Sequence, residues 1–327
     1  MQRRKLIQAL GAAVLALAAA PGSNALAQDY PARPIRLIVP FAPGGVSDTS
    51  ARVIADKLGQ RLGQQVVVDN RPGASGNIGT AMAAQAAPDG YTLLLGFDGT
   101  MVINPHVFAK VPFDTVKDFV PISKIGDAAL ILITHPSVPA RNLTELVAYS
   151  RTTSAGLSYG SAGTGSTPHL AGELLKARTG LNMVHVPYKG GGQAMGDLVG
   201  GTLPVLFTAV AGAQQYVKNG KANAIAVSAA KRVPSLPDVP TLAESGVPGF
   251  VSDSWVGLLA PANTPKEIVD KLARELNAVV NMPDTRERLA TLGIVPSGNT
   301  SEAFASEIQN DLKKYSEIVK TAKIRVQ

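Results

Sequence analysis

The chain has no cysteine, which excludes disulfides, thiolate metal sites and a cysteine-linked lipid anchor. Aromatic residues are scarce at 5%, and Trp255 is the single tryptophan. Basic residues are scattered, without the clustered runs and interleaved aromatics of a nucleic-acid surface. Beyond the first residues no apolar run is long enough to span a bilayer. Charge is mild: the formal net charge of +7 falls to +4 once Arg3, Arg4 and Lys5 are set aside. That balance suits an anionic ligand and plain solubility alike.

Those three residues begin a leader pattern. Arg3-Arg4-Lys5 is a positive n-region, Leu6 to Ala20 an apolar stretch of roughly fifteen residues, and Ala25-Leu26-Ala27 a small-residue cleavage site. Arg3-Arg4 lacks the rest of a twin-arginine motif, so ordinary secretion is expected, with a mature start at Gln28 and a periplasmic location. The remaining chain of about 300 residues exceeds one small core and suits two lobes.

What is abundant is Ala, Gly and Val, as in parallel sheets covered by small-residue helices. The apolar run Ile35 to Val39 reads as a buried strand. Pro40-Phe41-Ala42-Pro43-Gly44-Gly45-Val46-Ser47-Asp48 follows as a glycine turn, with Ser47 or Asp48 placed to cap a helix. From Thr49 to Leu62, Val53, Ile54, Leu58, Arg61 and Leu62 share one helical face. A strand, a turn and a helix start present backbone N–H groups and a positive dipole end to one spot, which attracts phosphate or carboxylate. Strand–loop–helix units then recur: strands at Gln65 to Val68, Tyr91 to Leu95, Leu157 to Tyr159, Met183 to Val186 and Val205 to Thr208, helices at Asn77 to Ala87 and Pro168 to Arg178. Candidate strands Phe119 to Ile125 and Ala129 to Thr134 flank a first crossing between lobes, and the Pro-rich Val233 to Phe250 is the return. Ligands of such sheets sit outside the carboxyl ends of the strands.

Several enzyme and metal readings weaken on inspection. Gly156-Leu157-Ser158-Tyr159-Gly160 matches a nucleophile elbow, but Ser158 falls inside a strand rather than on a strand-to-helix turn. His106, His135, His169 and His185 lack metal-ligand spacing. The glycine loop Gly73 to Gly79 has no Gly-Lys-Ser/Thr partner for a nucleotide, and close helix packing is its plainer reading. No metal and no cofactor are expected. His169, at a helix start, either packs under its loop, orients Ser161 or contacts the ligand. Asp48 is either a cap or a ligand contact, Asp98 a solvated loop carboxylate or a contact to a distal ligand group, and Trp255 and Phe41 core or cleft-lining aromatics. Tyr188-Lys189 reads as a rim.

Taken in order, six segments resemble one family. They are the Pro40 to Asp48 loop, Asn70-Arg71-Pro72-Gly73-Ala74-Ser75-Gly76-Asn77-Ile78-Gly79, Pro88-Asp89-Gly90-Tyr91-Thr92-Leu93 with Asn104-Pro105, Tyr159-Gly160-Ser161-Ala162-Gly163-Thr164-Gly165-Ser166-Thr167-Pro168-His169-Leu170, Val186-Pro187-Tyr188-Lys189-Gly190-Gly191-Gly192, and Pro261-Ala262-Asn263-Thr264-Pro265. The pattern is similar to the Bug (TctC-like) solute receptors of tripartite tricarboxylate transporters and covers essentially the whole mature chain. The resemblance implies an α/β, two-lobed Venus-flytrap fold with mostly parallel sheets and a central cleft, lobe 1 being 28–126 and 251–327 and lobe 2 being 127–250. It implies a non-enzymatic, usually monomeric receptor that captures a small organic carboxylate and delivers it to a permease of two integral membrane subunits. The same fold serving a membrane sensor is the alternative, and an exported serine hydrolase the third reading. By resemblance the ligand is held by Phe41, Ala42, Gly44, Gly45, Ser47 and Asp48 from one lobe and by Ser161, Thr164, Gly165, Ser166, Thr167 and His169 from the other. Asp98, Thr100, Tyr188, Thr208 and Trp255 complete the expected cleft. The chain departs from the family at Thr208-Ala209, where Asp-Asn is frequent, and at Met101 and Val256. If those positions line the distal cleft it is less polar, favouring a dicarboxylate or aromatic carboxylate over an amino acid.

Overall fold

The structure, a computed structural model, describes residues 30–43, 46–188 and 190–322. The leader, the Gln28 start, Gly44, Gly45, Lys189 and the helix end expected at Lys323 lie outside the described residues.

Strands and helices alternate: β1 (Ile35–Val39), α1 (Val46–Leu62), β2 (Val66–Asn70), α2 (Asn77–Ala84) and β3 (Thr92–Phe97). A wide π turn (Gly99–Ile103) and the single turn α3 (Asn104–Val107) lead to β4 (Phe119–Ala128), which runs almost directly into β5 (Leu130–Thr134). Then come α4 (Leu143–Ser150), β6 (Leu157–Ser161), α5 (Thr167–Thr179), β7 (Met183–Pro187), α6 (Gly191–Val199), β8 (Val205–Ala209), α7 (Val210–Lys218) and β9 (Asn223–Val227). After the return connection follow β10 (Ser254–Pro261), α8 (Lys266–Val280), α9 (Pro283–Thr291), β11 (Ile294–Pro296) and α10 (Ser301–Ala322).

Two sheets result, one ordered β11-β4-β10-β3-β1-β2 and the other β7-β6-β8-β5-β9. The expectation of mostly parallel sheets needs correcting, because both are mixed: four of the nine pairings are parallel and five antiparallel. The crossings are the cause. β4 leaves the first sheet, β10 returns to it, and the two pair antiparallel with each other. β5 enters the second sheet antiparallel to both β8 and β9. Parallel order survives in two triplets, β2-β1-β3 and β7-β6-β8. Within a triplet the carboxyl ends lie side by side, so the loops after Val39, Asn70 and Phe97 form one group and those after Ser161, Pro187 and Ala209 another.

Burial follows side-chain alternation. All five residues of β5 are buried. Leu130 and Leu132 pack in one core cluster with Tyr159 and Phe207, while Ile131 and Ile133 pack in another with Leu198 and Leu206. Successive strand residues point to opposite faces, so a continuous apolar run marks a strand covered on both sides. Each such side chain contributes about 1.5–3 kcal/mol on burial. In α1 four of the five residues expected on the inner face are buried, Val53, Ile54, Leu58 and Leu62, whereas Arg61 is exposed and pairs with Glu275 at 2.8 Å. Asn142 caps α4 as its residue type predicts, its side chain accepting from the Glu145 amide at 2.9 Å.

Candidate functional site

Two consecutive residues at the end of β3 gather the site. The Phe97 ring meets Phe41 edge-on at 5.5 Å between centroids, and the Asp98 carboxylate accepts from Thr167 Oγ1 at 2.8 Å. Phe41 lies in the loop before α1, and Thr167 opens α5. The loop that precedes α1 and the start of α5 thus meet at the end of β3. The loop before α1 is fixed by Asn70 Nδ2, which donates to the Phe41 carbonyl at 3.0 Å. Beside it runs a left-handed segment: Gly73, Ala74, Ser75 and Gly76 have φ of 135°, 47°, 54° and 90°. Thr100 Oγ1 and Asn104 Nδ2 both donate to the Ser75 carbonyl at 3.0 Å, which holds the segment in that conformation. Backbone in this region is costly for non-glycine residues and persists only where its surroundings dictate it. The close-packing reading of the glycine loop is met at Gly79, where a Cβ would lie 2.6 Å from the Arg71 carbonyl and 2.9 Å from Pro40 Cα.

In the second triplet the loop after β6 is organised by a serine and two histidines. Ser161 Oγ sits 2.7 Å from His185 Nε2 and accepts from the Gly163 amide at 3.1 Å. The Gly165 amide donates to His169 Nδ1 at 3.0 Å, which leaves the His169 proton on Nε2. The two imidazoles stack at 3.7 Å. Burial lowers both, His169 to about 4 with help from Lys176, and His185 to about 3 with help from His169. Both rings are therefore neutral at pH 7. Ser166 is the N-cap residue of α5, but its hydroxyl does not cap. It donates instead to the Gly163 carbonyl at 2.7 Å. The first amides of an α-helix have no intrahelical partner, so the α5 start keeps its affinity for an anion. Gly163 packs against the Tyr188 carbonyl, and the α6 start at Gly191 against Thr208 Oγ1, which sets Tyr188 and Thr208 beside this loop.

Several expected contacts are otherwise engaged. Trp255 is corrected from cleft to core: it is 2% exposed, its Nε1 donates to Asp311 at 2.9 Å, and its ring meets Phe304 edge-on at 5.0 Å. Met101 and Val256 are also buried, so neither makes the cleft less polar. Asp98 is not solvated but 1% exposed, and it and Thr167 hold each other. The Gly165 amide is taken by His169, Thr100 by Ser75, and the Tyr188 hydroxyl by Asp197 at 2.8 Å. Asp48 lies within the first turn of α1, buried and paired with Arg52 at 2.9 Å. Ser47 lies in that turn, half-buried, and Ala42 and Thr164 are exposed. Gly44 and Gly45 lie outside the described residues. Ser158 sits mid-strand in β6, opposite Val184, with no elbow around it. The sequence reading missed Phe97, Ser254 and the scaffold roles of His185 and Asn104. Phe97 carries a signal, being the last residue of a strand that must end at the site.

Residues 50–324 match the family described as TctC: Tripartite tricarboxylate transporter family receptor. The chain belongs to that family. Protein BugT of Bordetella pertussis is 36% identical over 295 residues, 90% of each chain. Among solved structures, an R. palustris protein with adipate is 34% identical, with a TM-score of 0.81 over 91% of this chain and 99% of that one. MatC from Rhodopseudomonas palustris with bound malate is 33% identical, with a TM-score of 0.76 over 89% of this chain and 100% of that one. TctC-family proteins are periplasmic solute-binding receptors rather than enzymes, and they bind carboxylates in partnership with transporters. Among the described residues no helix is long and apolar enough to cross a membrane.

Proposed function

We propose that this TctC-family chain captures a short dicarboxylate between the carboxyl ends of its two parallel triplets. The observation that carries this reading is the meeting of the loop before α1 and the α5 start at Phe97 and Asp98, with the Ser166 hydroxyl turned away from the helix it precedes. Neither Phe41–Asp48 nor Ser161–His169 contains Arg or Lys. One carboxylate is therefore held by neutral donors and helix dipoles, without a full ion pair, a grip consistent with release. The site is Phe41, Ala42, Gly44, Gly45, Ser47 and the α1 start on one side, and Ser161, Thr164, Ser166, His169, Tyr188 and Thr208 on the other. Asp48, Thr100, Gly165 and Thr167 hold its walls. The Phe41–Phe97 pair and Thr208-Ala209 bring no charge of their own to the distal end, and relatives solved with adipate and malate support a dicarboxylate. An aromatic carboxylate is the next candidate.

In this reading 28–126 with 251–327 form one lobe and 127–250 the other. Hinge closure about the β4–β5 and β9–β10 connections traps the ligand, and the closed monomer is what a permease of two integral subunits recognises. The leader is removed after Ala27 on export, so the secreted chain starts at Gln28. Thermal unfolding against citrate, malate, adipate, benzoate, acidic amino acids and the amide of each tests the ligand class. A carboxylate that binds the native state raises the melting temperature by mass action. The reading requires a shift for a dicarboxylate that its diamide lacks. Equal shifts for acid and amide would remove it.

A further inference from the structure

Asp98 is an expected ligand contact that the structure instead buries among the protein's own hydrogen-bond donors. Its carboxylate is 1% exposed. Oδ2 accepts from Thr167 Oγ1 at 2.8 Å, Oδ1 accepts from Ser254 Oγ, and the Gly99 amide donates as well. These donors come from three elements: α5 of the second sheet's layer, the returning strand β10, and the π turn after β3. All three are neutral. A carboxylate buried without a cation is costly to keep unless its hydrogen bonds are complete. Leu170, one turn along α5 from Thr167, is fully buried in the first sheet's core cluster with Ile38, Met101 and Trp255. Thr167 and Leu170 thus form a polar and an apolar contact from one layer to the other. Both Asp98 oxygens are engaged within the protein.

We propose that Asp98 is a positioning residue that latches the two halves together through Thr167, so that closure is held by the chain's own buried hydrogen bonds as well as by ligand. Parting the halves must break the Thr167 bond and admit water to the carboxylate. Removing the Thr167 hydroxyl leaves a buried carboxylate one donor short in the closed form alone, which shifts the equilibrium toward the open form.

The latch is also pH-dependent. Burial, with Asp311 from α10 adding to it, pushes Asp98 up to about 6, against the lowering effect of Ser254, Thr167 and Gly99. The other titratable groups around it are Tyr315 on α10 and Asp253 beside Ser254, the latter also raised to about 6 by burial and bonded to Ser228. In the open form a hydrated Asp98 returns toward an ordinary carboxylate. The closed form therefore takes up a proton first, and closure strengthens as pH falls through 6.

The inference deepens the closure reading above and rests on it, but its test needs no ligand. In this cysteine-free chain, Val67→Cys and Val184→Cys place two spin labels at exposed positions of β2 and β7, the edge strands farthest along each sheet from the crossings. Pulsed dipolar spectroscopy of the ligand-free protein then reads the ratio of short to long separations. Thr167→Val is expected to lower that ratio about tenfold and Thr167→Ser to restore it. Acidification from pH 7.5 to 5 is expected to raise the ratio in the labelled parent but not in Asp98→Asn. If the protein binds adipate, Thr167→Val weakens that binding by the factor by which the closed fraction falls. Unchanged separations in Thr167→Val overturn the latch, as does a Thr167→Ser that behaves like it. Should Thr167→Val fail to fold, Asp98→Asn decides: parental separations and pH response there overturn the latch. A parent that binds no carboxylate but opens on Thr167→Val keeps the latch and removes the ligand reading.

Discussion

Gly76→Ala tests the left-handed segment beside the site. Gly76 has φ 90° and ψ −10°, a backbone that costs an L-residue about 1–2 kcal/mol. A Cβ there would stand 2.5 Å from Thr100 Oγ1, 3.2 Å from Thr100 Cγ2 and 3.4 Å from Phe41 Cζ. Thr100 must therefore shift, and its 3.0 Å bond to the Ser75 carbonyl is lost. Overpacking costs roughly 1–3 kcal/mol and the bond about 1 kcal/mol, so a total of about 4 kcal/mol is expected. Gly63→Ala is the matched control, because Gly63 has φ 69° and nothing within 4 Å of its would-be Cβ. It should cost about 1–2 kcal/mol, the backbone cost alone. Urea unfolding of the two variants measures the difference directly. Gly76→Ala should also weaken carboxylate binding, since Thr100 and Phe41 move with it. Equal losses of stability in the two variants would refute the claim that Thr100 holds this segment.

Trp255→Phe removes the Nε1 donor from Asp311 within the core and should cost about 1–3 kcal/mol in chemical unfolding, with carboxylate affinity unchanged. A large affinity loss at parental stability would return Trp255 to the cleft. His169→Asn tests the imidazole stack. Because the folded pKa lies near 4, below the usual 6.5, the unfolded chain binds protons first and stability falls as pH drops below 6.5. At pH 5 the loss from this group is roughly 2 kcal/mol. Asp98 and Asp253, both raised to about 6, act in the opposite direction over the same range. The readout is therefore the difference between parent and variant, and the parent should lose more stability between pH 7.5 and 5. Equal losses would show that His169 is not shielded.

The parallel triplets were legible because apolar runs, glycine turns and helix starts are local signals. Asn142 and the apolar residues of the α1 face read correctly for the same reason, while Arg61, expected among them, is exposed. The antiparallel crossings were not, since the direction in which β4 and β10 pair depends on where a strand enters a sheet, which no local pattern states. At the site, the loops were legible as loops, but the pairing of their side chains was not. Asp98 and Thr167 are 69 positions apart in the sequence, and each alone looks like a solvent-facing group with an affinity for ligand. Only the fold shows that they neutralise each other's hydrogen-bonding needs. Trp255 gave the same difficulty, because a lone indole beside a strand start is equally at home in a core or a cleft. His185 carried no signal, since its role depends on β7 pairing beside β6, where it stands opposite Tyr159 and reaches Ser161.

The central claim is that one carboxylate is received by helix starts from both sheets. A crystal structure of the protein with the dicarboxylate that shifts its melting temperature most tests it directly. The account predicts one carboxylate within hydrogen-bond distance of backbone amides, directly or through one water, at the α1 start and at the α5 start. It also predicts that the Asp98–Thr167 bond is intact. A ligand carboxylate held by one loop only, or bound to Asp48, Asp98 or a lysine elsewhere on the chain, would contradict it.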